Sequence, residues 1–173
     1  MNVRMPFYYG GSKMLHNQID PIKLSKYVIN YVSNFKDDMS HLKLQKLLYY
    51  IEAWHLVVFD EPLFKEEFQA WVHGPVIREV FDHYKDKSIL NNLLPKEELD
   101  YNLDDYLSEE QIEVINDVLD EYGKRSPYYL ECLTHDEKPW KQARQGYGAS
   151  ERCEEIISKA TMRKFYREMA YDE

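Results

Sequence analysis

Only two cysteines, Cys132 and Cys153, occur in the chain, which excludes a disulfide framework, and no Cys-x-x-Cys is present. The six glycines form neither a GxGxxG turn nor a P-loop, so no phosphate cradle is indicated. The six histidines contain no HExxH, and Cys132, His135 and Cys153 lack the spacing of a zinc signature. Nothing marks either thiol as an activated nucleophile. No apolar run approaches the ~20 residues of a membrane span. The stretch from Met1 to Lys13 is too polar and glycine-broken for a secretion signal. Cationic excess is missing as well: 22 Lys and Arg face 31 Asp and Glu, a net charge of −9. Phosphate contacts are made with Lys and Arg, so direct DNA binding is not expected. These absences predict a reduced cytoplasmic protein with no metal, no cofactor and no membrane contact.

What is present is a folded composition, 44% hydrophobic and 31% charged. The length fits one domain, expected over residues 20–173, after an N-terminal extension at 1–19 that is only partly ordered. Fifteen tyrosines stand out. Their apolar ring and polar tip suit the rim of a core or an interface. The negative charge is concentrated. Lys96 to Glu121 holds eleven acids against one lysine, and the remainder of the chain is close to neutral. An acidic patch of this kind suits a basic partner, although a solvated helix face would look the same.

The pattern is mainly helical. Asp20-Pro21 opens one helix, carrying Leu24, Tyr27, Val28, Tyr31, Val32 and Phe35 on one stripe. Ser40 caps a second, whose broad apolar face makes it the central helix, ending before Asp60-Glu61-Pro62. A short strand or hairpin is expected near Phe64–Val72. Pro75 is expected in the first turn of the next helix, with Val76, Val80, Phe81 and Tyr84 on its face. Ser108-Glu109-Glu110-Gln111 is a capping box, and Gly123 closes its helix. Ser126-Pro127, Pro139-Trp140 and Ser158 each start a further helix. The fold class is a single compact multi-helix domain with at most a short strand or hairpin.

The densest segment runs from Leu44 to Val76, with two tryptophans, three phenylalanines, two tyrosines and two histidines around a His73-Gly74-Pro75 turn. Such anchors define a scaffold better than a reaction centre. Trp71, His73, Gly74, Pro75 and Arg78 are the candidates here for touching a partner. On the acidic stretch the candidates are Asp104, Asp105, Glu109 and Glu110. Arg78 could hold an anion or a partner carboxylate, or serve as a surface salt bridge. Acid–base chemistry would have to come from His55, His73, His135 and Glu137. Against that, Thr134 or Asp136 can satisfy loop donors and Trp140 can anchor the loop to the core.

Leu44-Gln45-Lys46-Leu47-Leu48-Tyr49-Tyr50, Ala53-Trp54-His55, Pro62-Leu63-Phe64 and Ala70-Trp71-Val72-His73-Gly74-Pro75-Val76 recur in order with Leu133-Thr134-His135, Pro139-Trp140 and Ala143-Arg144. In these blocks the sequence resembles the Panacea domain family, which includes SocA-like antitoxins and phage-associated GepA-like proteins. The resemblance covers roughly Ile22 to Tyr166. It implies an antitoxin of a toxin–antitoxin pair that neutralises a cognate toxin by direct contact. For one branch it implies instead a proteolytic adaptor delivering the toxin to a ClpXP-type protease. Some hydrolase-type antitoxins reverse the toxin's modification, the enzymatic alternative. Relatives with a helix-turn-helix domain bind operators; no basic helix for that purpose is seen here. The implied partner is a toxin, and the acidic stretch suits one with a basic surface.

Overall fold

The computed structural model describes residues 16–35, 39–87 and 93–171. The expected N-terminal extension therefore lies largely outside the described residues. Of its last residues, Ile19 is buried and its N–H donates to the Leu63 carbonyl at 3.1 Å.

Helix boundaries follow the caps. Helix α1, Pro21–Ser33, begins where the Asp20 carboxylate accepts from the Ile22 and Lys23 N–H groups. Helix α2, His41–Phe59, begins at Ser40, whose hydroxyl accepts from Lys43 N–H at 3.1 Å. It stops at Asp60, which takes up the left-handed conformation with φ 63°. Helix α4, Glu109–Tyr122, carries the expected reciprocal Ser108–Gln111 box and reaches Gly123 at its C-cap. Helices α5, Pro127–Asp136, and α6, Lys138–Ala143, start with the prolines that the sequence marks. Ser158 accepts from Thr161 N–H at the start of α7, Lys159–Tyr171.

Helix α2 is the axis of the molecule. Every residue from Lys43 to Val57 is buried, because α1, α4, α5, α7 and the β-hairpin pack around it. Tyr49, Tyr50, Tyr122 and Tyr166 meet in this core, with the Tyr50 and Tyr122 rings stacked 4.2 Å apart. Those tyrosines fill the core rather than edging it. Truncating one of these rings to Ala would remove roughly 3–5 kcal/mol of stability.

The hairpin pairs strand β1, Phe68–Trp71, with strand β2, Gly74–Ile77, antiparallel. Helix α3, Arg78–Tyr84, follows directly. Pro75 and Val76 thus lie in a strand, not in the first helical turn the sequence predicts. The register explains the difference. Pro75 faces Ala70, whose own N–H turns the other way to the Glu155 carbonyl at 2.8 Å. At such a non-hydrogen-bonded pair the missing proline donor removes no ladder bond. Of the residues expected on the α3 face, Val80 and Tyr84 are buried.

Candidate functional site

The hairpin rests on polar side chains of α2. The Gln45 side chain accepts from the Ile77 N–H at 2.9 Å and donates to the Ile77 carbonyl at 3.2 Å. The Lys46 amine donates to the Pro75 carbonyl at 3.1 Å. Both side chains are buried, and together they replace the strand that would otherwise pair with β2. Burial pulls the Lys46 amine down to about 7, with the Glu131 carboxylate opposing the shift.

Gly74 permits this arrangement. Its φ is +103°, and a Cβ there would lie 2.5 Å from Lys46 Cε and 2.9 Å from Thr134 Oγ1. The second half of the chain clamps the hairpin from the other side. Trp140 Nε1 donates to the Trp71 carbonyl at 2.9 Å, and the His135 ring stacks on Trp140 at 4.1 Å. The buried Arg144 guanidinium donates to the carbonyls of Ala70 at 2.9 Å, Gly148 at 2.9 Å and Glu151 at 2.7 Å. Blocks far apart in sequence therefore converge on one short hairpin.

What the hairpin presents is small and mixed. Trp71, Val72, His73 and Val76 line a cleft of about 240 Å³, closed on the other side by Arg152, Cys153 and Glu154. The His73 side chain is 74% exposed and its Nδ1 lies 2.8 Å from Glu131. The Arg78 guanidinium lies 4.9 Å from the Trp71 ring and donates to Gln69 and to Glu154. Arg78 is therefore committed to intramolecular partners, the surface salt bridge weighed from the sequence. Gly74 and Pro75 are buried and set the backbone.

The acidic candidates lie elsewhere. Asp104 and Asp105 sit in a single 3₁₀ turn, Leu103–Asp105, and Glu109 and Glu110 in the first turn of α4. All four are exposed. Asp105 accepts from the Asn102 N–H at 3.4 Å. Hydrogen bonds from its own backbone N–H and from Ser108 hold the Glu110 carboxyl below its usual range. This α4 start attaches to α2 at His55, through Gln111. The hairpin attaches at Lys46, nine residues away, so the two anchor points are ~14 Å apart along the helix. The structure does not bring the two groups of candidates together.

The enzymatic candidates are dispersed too. Gln111 donates to His55 Nε2 at 2.9 Å, which assigns the proton to Nδ1 facing the Glu61 carbonyl at 2.7 Å. Burial lowers His55 to about 4, so it stays neutral. Glu137 is buried between α2 and α7, where it accepts from the Tyr50 and Tyr166 hydroxyls; burial raises it to about 7. His73 and His135 alone flank the hairpin, near Glu131. Among the described residues no three His, Cys, Asp or Glu side chains are grouped to hold a metal.

Thr134 lies within α5, and its hydroxyl donates to the Glu131 carbonyl at 2.9 Å instead of satisfying the loop donors the sequence suggests; Trp140 anchors the segment as expected. Gln45, Lys46, Glu52 and Arg144 were not singled out from the sequence. Glu52 accepts from the Leu63 and Phe64 N–H groups and pairs with Lys159 of α7 at 3.0 Å. The available signal was a helix apolar all round that nevertheless carries ionisable residues, which must then be partnered inside.

Comparison with known families returns a match of residues 44–141 to the model described as "Antitoxin SocA-like, Panacea domain", more than half of the chain. No curated protein and no solved structure matches it. The matched stretch begins at the start of the buried part of α2 and ends inside α6, so it spans the hairpin and both elements that hold it.

Proposed function

Since this chain belongs to the SocA-like Panacea-domain family of antitoxins, we propose that it neutralises a cognate toxin by direct protein–protein binding in the cytoplasm. The observation that carries this reading is the hairpin. Its turn is held by bonds from Lys46 of α2 and Trp140 of α6, while its Trp71, Val72 and His73 edge lines an open cleft. A surface ordered before contact loses little entropy on association, as a binding module requires. Trp71 and His73, with Arg78 bracing the Trp71 ring and Gly74 and Pro75 shaping the turn, form the anchoring part of the interface. Asp104, Asp105, Glu109 and Glu110 form an acidic flank that draws in a basic toxin surface.

The scattered positions of His55, Glu137 and His135 favour binding over catalysis. An enzyme that reverses the toxin's modification would lose 10²–10⁴-fold activity on losing its acid or base. Glu137→Gln is expected to lower stability while leaving protection intact at permissive temperature. Protection abolished in a folded Glu137→Gln protein would restore the enzymatic reading.

The decisive experiment is co-expression with the product of the adjacent gene, scored by growth rescue and co-purification. A stable complex with rescue is expected. An adjacent product harmless on its own would end the antitoxin reading. Rescue without a complex, lost when a ClpXP-type protease is deleted, would replace direct neutralisation with delivery to the protease.

A further inference from the structure

The hairpin is the core of a wider ribbon, because residues 154–157 run antiparallel along the free side of β1. The Ala70 N–H donates to the Glu155 carbonyl and the Ile157 N–H to the Phe68 carbonyl, both at 2.8 Å. Gln69 and Ile156 face each other between these bonds. In an antiparallel ladder the residues of such a pair turn their own N–H and carbonyl away from the partner strand. Ile156 therefore directs both groups outward, and within the described residues neither has a hydrogen-bond partner.

The two outer edges of this ribbon are treated in opposite ways. On the β2 side every outward group of Pro75 and Ile77 is taken by Lys46 or Gln45. On the other side the edge stays open. Ile156 is 48% exposed, unusual for an isoleucine next to an unpaired backbone. Beyond Glu154 the segment peels away from β1. The Arg144 guanidinium fills the gap by binding the Ala70 carbonyl, and the Trp71–Cys153 cleft opens there. An open edge with an apolar side chain, continuous with a side-chain-sized cleft, is the geometry of strand addition.

Charge selects the occupant. Glu151, Glu154 and Glu155 border the edge and are exposed. The nearby cations are already engaged: Arg78 and Arg152 bind Glu154, and the buried Arg144 is spent on backbone carbonyls. Glu151 and Glu155 are thus left as exposed acids without a cationic partner among the described residues, on a chain of −9 overall.

We propose that the outer edge at Ile156 accepts an extended, Lys- or Arg-bearing segment of the toxin as an added strand, with one of its apolar side chains entering the Trp71–Cys153 cleft. This rests on the antitoxin reading and names the surface that reading uses.

Substitutions at Ile156 test it without disturbing the fold. Ile156→Pro deletes only the outward N–H, since the two bonds to β1 belong to Glu155 and Ile157. Ile156→Lys and Ile156→Glu keep that N–H and place opposite charges beside the incoming strand. The probe is the purified product of the adjacent gene, titrated calorimetrically against each full-length variant whose thermal melt matches wild type. Ile156→Pro is expected to weaken binding at least tenfold, and Ile156→Lys to bind at least tenfold more weakly than Ile156→Glu. Wild-type affinity in a folded Ile156→Pro protein and in Ile156→Lys would overturn the edge while leaving the antitoxin reading in place. Equal losses for Lys and Glu would overturn the basic segment. Absence of wild-type binding and rescue would remove the antitoxin reading and the edge with it. A dimer of the chain alone that Ile156→Pro turns into a monomer would reassign the edge to self-association.

Discussion

The hairpin and the acidic flank both stood out in the sequence as places to touch a partner, and they are built on opposite principles. The hairpin is a backbone shape held from beneath by buried Gln45, Lys46 and Arg144, with Gly74 allowing the close approach. The flank is a row of solvent-exposed carboxylates on helix starts, bound to little but their own caps. Buried polar bonds fix geometry and are weakly screened; exposed charge acts at range and is screened by salt. The hairpin should therefore govern how long a complex lasts, and the flank how quickly it forms.

The comparison breaks most visibly at Arg144. We predict that Arg144→Ala strips three backbone carbonyls of their donor and removes the guanidinium that lies 5.1 Å over the Trp140 ring, lowering stability by about 3–5 kcal/mol. Urea unfolding measures it, and a loss under ~1 kcal/mol would show that water or relaxed backbone replaces the guanidinium. Gly74→Ala comes next. A Cβ at φ +103° that also meets Lys46 should lower stability by about 2–4 kcal/mol. An unchanged midpoint would mean that the turn is looser than its close contacts imply.

Lys46 gives a pH signature that the flank cannot. Its amine is lowered in the fold to about 7, from an ordinary 10.5. Between those values the unfolded chain binds the extra proton, so this group raises stability as pH increases from about 7 toward 10.5. Below pH 7 both states are charged and the group contributes no slope. The expected result is a wild-type minus Lys46→Met stability difference that moves in favour of wild type across that window. A flat difference would show that the amine is hydrated in the native state.

The smallest effect on stability belongs to the flank. Changing Asp104, Asp105, Glu109 and Glu110 to Lys should slow association with the toxin roughly 10–100-fold at low salt. The deficit should close near 1 M salt, where the screening length is ~3 Å. Stopped-flow rates that do not change at low salt would leave these acids as ordinary solvated helix caps.

Much of the fold could be read along the chain. The capping residues Asp20, Ser40, Ser108, Ser126 and Ser158 each sit where the structure starts a helix, because a cap is a bond between near neighbours. The central place of α2 was visible in its broad apolar face. Pro75 was misassigned, since proline fits a helix start and a strand edge equally well until its partner, Ala70, is known. Of the candidate site, the turn and His73 were marked by the sequence. Gln45, Lys46 and Arg144 were not, because a polar residue in an apolar helix looks like a fault until its partner arrives from elsewhere in the chain.

Sequence alone thus determined the helical class, the helix starts marked by a capping side chain and the family, all of which depend on local bonds or on the order of short blocks. Tertiary structure decided which edge of the ribbon is sealed and which is open. Lys46 meets Pro75 across 29 residues, Arg144 meets Ala70 across 74, and Gln69 faces Ile156 across 87. Contacts of that span carry no periodicity and no neighbouring signal. They exist only because burial of α2 brings distant segments to the same place, where each polar group must find a partner or remain open to one.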